Sequence, residues 1–123
     1  MTLLWLAVAG GLGAVARLLL DGAVRQRTEA TGLGTMVINL TGSFLLGLVA
    51  GLTAASVSSE TVRLVVGTGF LGGYTTFSTA SVETVRLAQQ RRWGAAAAHG
   101  LGMLVGAVAL AGAGMWLGLH AAG

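Results

Sequence analysis

The sequence predicts an all-α integral membrane protein with four transmembrane helices, and three observations support that class. First, 54% of its 123 residues are hydrophobic and only 9% are charged, with a mean hydropathy of +0.82; a soluble domain carries about a quarter charged residues. Second, the apolar residues form four runs, each near the roughly 20 residues that cross about 30 Å of hydrocarbon. Third, nearly all charges lie between those runs.

The four predicted spans follow one another without a linker or low-complexity segment, so a single domain covering residues 1–123 is expected. The first span is apolar except for Arg17, and the second contains no charge. The third begins after Arg63, and the fourth has only His99 as a titratable group. The spans lie at about residues 2–20, 35–52, 64–85 and 94–119.

Several function classes do not fit the composition. The chain has no cysteine, which removes disulfides and thiolate catalysis. It shows no nucleophile and base pair and no cluster of metal ligands, so an enzyme is not expected. No basic stripe with interleaved aromatic residues is present, so nucleic acid is not an expected partner. Proline is absent too, and any break in a helix must therefore come from glycine.

The arginines predict how the chain is oriented in a cell membrane. With four spans, the first and third loops lie on one side and the second loop lies on the other. The second loop contains Arg63 alone, whereas the first and third loops contain Arg25, Arg27, Arg86, Arg91 and Arg92. Because arginine-rich loops stay in the cytoplasm, the first and third loops are predicted to be cytoplasmic.

Glycines four residues apart place small side chains on one helix face, where helix backbones can approach closely in lipid. Such pairs can assemble a dimer, or they can pack helices within one chain; the sequence leaves both open. The pairs are Gly47 and Gly51, Gly69 and Gly73, Gly102 and Gly106, and Gly114 and Gly118.

A polar stripe crosses the second span. Asn39 lies near its middle, with Thr35 four residues before it and Ser43 four residues after it. Residues at this spacing share a helix face. The stripe either lines a pathway or only joins helices by hydrogen bonds.

The third span contains Gly72 and Gly73 followed by Tyr74, Thr75 and Thr76. Such a run favours unwinding of the helix near its middle, and the freed carbonyls need partners in hydrocarbon. Broken membrane helices use such carbonyls to coordinate a small cation, and oxygen ligands suit a hard ion such as sodium. A simple glycine kink capped by threonine hydroxyls is the alternative.

Phe77 follows this run and is surrounded by hydroxyl residues, among them Ser78 and Thr79. A phenyl ring is positive along its edge, so an edge-on ring can contact an anion weakly. Alternatively, Phe77 faces lipid or the core. Glu83 and Arg86 are expected to pair at the end of this helix, and His99 is expected at the membrane interface.

Three motifs in order resemble the Fluc/CrcB family of bacterial fluoride channels. They are "GGLGAVAR" at residues 10–17, "GTMVINLTGSFLLG" at 34–47 and "GFLGGYTTFSTASVE" at 69–83. The third motif is specific, and the fourth span resembles the family only in being apolar and rich in glycine.

This resemblance implies a fluoride-selective channel built as an antiparallel dimer, with a structural sodium ion at its centre. The carbonyls that hold sodium match Gly72 and Thr75. The pore asparagine matches Asn39, the first pore phenylalanine matches Phe77, and Ser78 and Thr79 match neighbouring hydroxyls. The implied function is fluoride resistance by passive export: hydrogen fluoride enters, dissociates in the cytoplasm, and the anion leaves through the channel.

Two departures from the family pattern predict a partner. Ala80 stands where the family usually has a second pore phenylalanine, and the fourth span has no serine or threonine. The strong arginine bias also disfavours insertion of one sequence in both orientations. A homologous, oppositely oriented subunit is therefore expected to complete the pore.

Two other functions are weighed against a conducting channel. Ala80 is compatible with a non-conducting scaffold subunit that only supports its partner. A small four-helix multidrug exporter resembles this chain in length, but such exporters carry a carboxylate in the first helix. Here no acidic residue precedes Asp21.

Overall fold

The computed structural model describes residues 1–29 and 32–121, and every regular element in them is helical. The elements are α1 (Thr2–Arg27), α2 (Leu33–Ala54), α3 (Glu60–Val62), a π-helix π1 (Arg63–Leu71), α4 (Gly72–Tyr74), α5 (Phe77–Gln89) and α6 (Trp93–His120).

Three of these helices, α1, α2 and α6, are long and apolar enough to cross a membrane. They match the first, second and fourth predicted spans. Helix α6 agrees with its prediction to within a residue at each end, but α1 continues past residue 20 to Arg27. The extension carries an ion pair of 3.2 Å between Asp21 and Arg25, which are four residues apart and therefore adjacent on the helix surface.

The third predicted span, residues 64–85, is covered by shorter elements. Ser59 caps α3 by accepting a hydrogen bond from the Val62 N–H, and the chain continues through π1 and α4. Thr75 (φ −81°, ψ 159°) and Thr76 (φ −147°, ψ 125°) then have extended backbone, and α5 begins at Phe77. The helical hydrogen bonding therefore stops between Tyr74 and Phe77.

Helix α6 packs along α2 through glycines on both helices. A Cβ atom added at Gly47 would lie 2.0 Å from the Ala111 carbonyl oxygen, and one at Gly114 would lie 2.1 Å from the Phe44 oxygen. At the next glycine on each helix the added Cβ would also be too close, 2.3 Å from the Met115 oxygen at Gly51 and 2.5 Å from the Leu48 oxygen at Gly118. Here the spacing of four residues serves packing within the chain.

Helix α1 packs in the same way against the third segment. A Cβ at Gly13 would lie 2.0 Å from the Phe70 oxygen, and one at Gly73 would lie 2.1 Å from the Gly10 oxygen. Among the predicted glycine pairs, Gly102 differs, since its Cβ position has no atom within 4 Å. Intramolecular packing therefore accounts for most of the glycine pairs.

The core is small, and large apolar side chains cover the surface. Ile38, Leu71 and Tyr74 form the buried cluster, whereas Leu18 of α1 and Val105 of α6 are each 66% exposed. An apolar surface of this kind is stable in lipid rather than in water.

Candidate functional site at the interrupted helix

The carboxamide of Asn39 on α2 holds the extended turn between α4 and α5. Its Nδ2 donates to the Thr76 carbonyl oxygen at 2.7 Å, and its Oδ1 accepts from the Thr76 N–H at 2.8 Å. The backbone N–H only donates and the carbonyl only accepts, so this pairing also fixes which way the amide is turned. One side chain of α2 thus satisfies both backbone groups of Thr76.

The extended turn removes the normal helical partners of two carbonyls. In a continuous α-helix the Thr76 N–H would donate to the Gly72 oxygen, but here it donates to Asn39. The Thr79 N–H, which would serve the Thr75 oxygen, donates to the Thr76 hydroxyl at 3.3 Å. The two carbonyls that the resemblance assigns to sodium, Gly72 and Thr75, have therefore lost the donors that a helix provides.

A groove of about 580 Å³ lies beside the turn. It brings together three predicted pathway residues, Asn39, Ser43 and Phe77, and the Phe77 side chain is 87% exposed. Ala80 and Met103 also line it, although each is largely buried. The remaining lining residues are mostly apolar or small: Gly42, Leu46, Thr75, Thr76, Ser81, Thr84, Val85, Gly100, Leu104 and Ala107.

A second cavity, of about 540 Å³, is lined largely by polar groups. Ser78 and Thr79, which were predicted beside Phe77 in one pathway, line this cavity instead. Arg25 at the end of α1 and Arg86 near the end of α5 line it too. The arginine-rich ends of the first and third loops therefore lie together.

Thr35 lies in neither cavity wall. It is 3% exposed, and its hydroxyl donates to the carboxylate of Glu83, which is also buried and lines the polar cavity. The expected pairing of Glu83 with Arg86 is wrong: the ion pairs among the described residues are Asp21 with Arg25 and Glu60 with Arg63. Sequence reasoning missed this contact because 48 positions separate its partners.

His99 lies near the start of α6 and is buried. It is 5% exposed and packs on Gly32, where a Cβ would lie 2.4 Å from His99 Cε1. Its Nε2, like the Nε of Arg17, has no hydrogen-bond partner within the described part of the chain. His99 is therefore buried in the helix packing beside Gly32, the residue that precedes α2, and its expected place at the membrane interface stays a prediction.

Long apolar helices around a polar, hydrogen-bonded interruption define a multi-pass membrane protein. The family model described as "CrcB-like protein, Camphor Resistance (CrcB)" matches residues 4–118. This chain belongs to that family.

Curated relatives resemble the chain over nearly its whole length. "Fluoride-specific ion channel FluC 1" of Leifsonia xyli subsp. xyli is 56% identical over 119 residues, covering 96% of this chain and 87% of the relative. "Fluoride-specific ion channel FluC 2" of Cutibacterium acnes is 49% identical, and the match covers 96% of this chain and 98% of the relative. "Fluoride-specific ion channel FluC 1" of Geobacillus kaustophilus is 42% identical, and the match covers 95% of this chain and 94% of the relative. The family is one of bacterial membrane ion channels, not of enzymes.

Proposed function

We propose that this chain is a subunit of a fluoride-specific ion channel that lowers cytoplasmic fluoride by passive export of the anion. The observation that carries the proposal is the pair of hydrogen bonds between the Asn39 carboxamide and the backbone of Thr76. It holds an interruption in a chain whose relatives are named fluoride-specific ion channels. In this proposal the elements from Glu60 to Gln89 form one transmembrane passage that is broken near its middle.

The anion pathway in this proposal uses the groove and the polar cavity. Asn39 and Ser43 offer polar groups in the groove, and Phe77 offers the edge of its ring. Ser78 and Thr79 offer hydroxyls in the polar cavity, while Thr35 acts beside them through Glu83. Hydroxyl and amide donors suit a small, strongly hydrated anion, because they replace the hydrogen bonds of the water it loses.

A structural sodium ion held by the Gly72 and Thr75 carbonyls is part of the proposal. The two oxygens fit a hard cation, since the N–H groups that a helix would give them are engaged elsewhere. When bound, the ion would supply the positive charge that these oxygens need in hydrocarbon.

We further propose an antiparallel dimer, formed with a homologous subunit of opposite orientation. Phe77 is 87% exposed, and the groove beside it is open on the surface of a single chain. A second subunit would enclose the groove and bury the ring. The arginine bias favours a partner with the opposite bias over a second copy.

A second candidate function is a scaffold subunit that does not conduct. Ala80 favours this candidate, because its methyl group lines the groove where the family resemblance expects a second ring. Membership of the CrcB family disfavours the multidrug exporter.

Fluoride efflux from liposomes tests the proposal. Liposomes loaded with potassium fluoride and containing valinomycin would carry this chain alone or together with a candidate partner, and a fluoride electrode would follow release. We expect fast release with the partner, and loss of it in Phe77→Ile and Asn39→Asp. Trp5→Ile, an exposed aromatic residue on α1, is the control and should leave release unchanged. Release that both variants leave intact would remove Asn39 and Phe77 from the pathway.

A further inference from the structure

The carboxamide of Asn39 has two N–H bonds, and the structure gives them unequal partners. One donates to the Thr76 carbonyl oxygen at 2.7 Å. The other donates to the thioether sulfur of Met103, on α6, at 3.2 Å. A carbonyl oxygen is a strong acceptor, whereas a thioether sulfur is a weak one. The bond to Thr76 therefore fixes the turn, and the second N–H is only weakly satisfied.

The weakly held N–H lies where an anion could reach it. Asn39 and Met103 both line the groove that contains Phe77. Hydrogen bonds to a charged acceptor are roughly twice as strong as those to a neutral one. An anion in the groove would thus replace the sulfur on this N–H and leave the two bonds to Thr76 intact.

The Met103 side chain is flexible and borders the groove. A methionine side chain is unbranched and has three rotatable bonds, so it changes rotamer easily. Its neighbours one turn away along α6, Gly100 and Ala107, are small and also line the groove. Rotation of the side chain can therefore release the N–H without displacing α6.

We propose that Met103 is a positioning residue for the anion. Its sulfur holds the second N–H of Asn39 in the groove, and entry of fluoride displaces that sulfur. Met103 thereby sets how tightly the anion is held, because it competes for the same hydrogen. This inference rests on the proposed fluoride function.

Two substitutions of Met103 should act in opposite directions. Met103→Leu keeps the size but removes the acceptor, so fluoride should bind about two- to fivefold more tightly, as expected for loss of one weak competing hydrogen bond. Met103→Gln introduces a strong carbonyl acceptor, so fluoride should bind more weakly by at least the same factor. Met115→Leu and Met115→Gln, at a half-exposed methionine of α6, are matched controls and should not alter binding.

A spectroscopic test reads the hydrogen bond itself. Asn39 is the only asparagine in the chain, so ¹⁵N-asparagine labelling of this chain, combined with an unlabelled partner where one is needed, gives one side-chain NH₂ pair in the spectrum of the channel in detergent. Fluoride titration should shift mainly one of the two protons, whereas chloride at the same concentration should not. In Met103→Leu the chemical shift of that proton should already differ from the wild-type value before fluoride is added. Its titration should give a higher fluoride affinity than the titration of the wild-type protein.

The outcomes separate this inference from the proposed function. If the wild-type protein releases no fluoride, alone or with its partner, both the channel proposal and this inference are contradicted. Wild-type release with no fluoride shift at Asn39, or with the Leu and Gln variants changing binding in the same direction, would overturn the role of Met103 alone. A shared direction would indicate that Met103 acts only by filling space.

Discussion

At the scale of single residues, two side chains of α2 fix the third segment, and they do so differently. Asn39 pairs with the backbone of Thr76, whereas Thr35 pairs with the side chain of Glu83. Both contacts lie among partly or fully buried groups, where an unsatisfied polar atom is costly. The polar stripe of α2 therefore has a structural role as well as any role in a pathway.

The Thr35 contact gives a prediction about stability. Thr35→Val keeps the shape but removes the hydroxyl, and the buried carboxylate of Glu83 then loses a donor. We expect a loss of about 1–3 kcal/mol in the free energy of unfolding. Thr35→Ser retains the donor and should lose much less. Unfolding by SDS in mixed micelles, followed by circular dichroism, would measure both; equal losses would mean that the methyl group and not the hydroxyl carries the effect.

At the scale of helices, close backbone contact between α2 and α6 explains much of the glycine content. Gly114 faces the Phe44 carbonyl, whereas Gly112, two residues earlier on α6, has no atom within 4 Å of its Cβ position. The two glycines therefore differ in packing but share one helix. They form a matched pair for substitution.

Gly114→Ala should destabilise the chain, because its methyl group would lie 2.1 Å from the Phe44 oxygen and the helices would have to separate. Overpacking of this kind costs about 1–3 kcal/mol. Gly112→Ala should leave the free energy of unfolding unchanged or raise it by up to about 1 kcal/mol, because alanine has the higher helix propensity. The same SDS titration would report both, and equal effects would contradict the packing in the structure.

The sequence predicts the long helices well because their signal is local. Hydrophobic runs locate α1, α2 and α6 to within two residues at their ends, except that the extension of α1 to Arg27 is missed. The glycines at 72 and 73 point to the right region of the third segment, but the extended residues are Thr75 and Thr76. The extended backbone at Thr76 is held by Asn39, which lies 37 residues away in the sequence. A local sequence pattern cannot indicate such a contact.

Side-chain pairing is where local reasoning fails. Glu83 has an arginine three residues later, a spacing that favours an ion pair on a helix, yet its partner is Thr35. His99 stands among alanines in the sequence and is buried because Gly32 lets its ring pack closely. Each of these contacts joins distant elements, so each depends on the tertiary fold.

At the scale of the whole molecule, the arginine bias predicts one orientation in the membrane. The chain contains no cysteine, so any maleimide labelling of a single-cysteine variant comes from the introduced residue. Gln90→Cys lies by the arginine-rich third loop, and Val57→Cys lies in the second loop. We expect a membrane-impermeant maleimide to label Val57→Cys in intact cells, and Gln90→Cys only after the membrane is opened. Labelling of both in intact cells would show dual orientation and weaken the case for a distinct partner.

The predicted need for a partner has two separable causes, orientation and Ala80. Orientation matters in cells, where the arginine bias inserts every copy the same way. Protein reassembled from detergent is free of that constraint, so antiparallel pairs of one chain can form there. Any remaining defect of the chain alone in liposomes then reports on Ala80.

Ala80→Phe tests the second cause directly. The groove of about 580 Å³ beside Ala80 offers space for a ring, and a ring there would present a second positive edge to the anion. In liposomes we expect Ala80→Phe to increase fluoride release by the chain alone, while in cells it should give little fluoride resistance without an oppositely oriented partner. Ala107→Phe places a ring elsewhere in the groove and should not increase release. If wild-type chain alone already releases fluoride as fast as the mixture with a partner, Ala80 is no defect, and the partner would be needed for orientation alone.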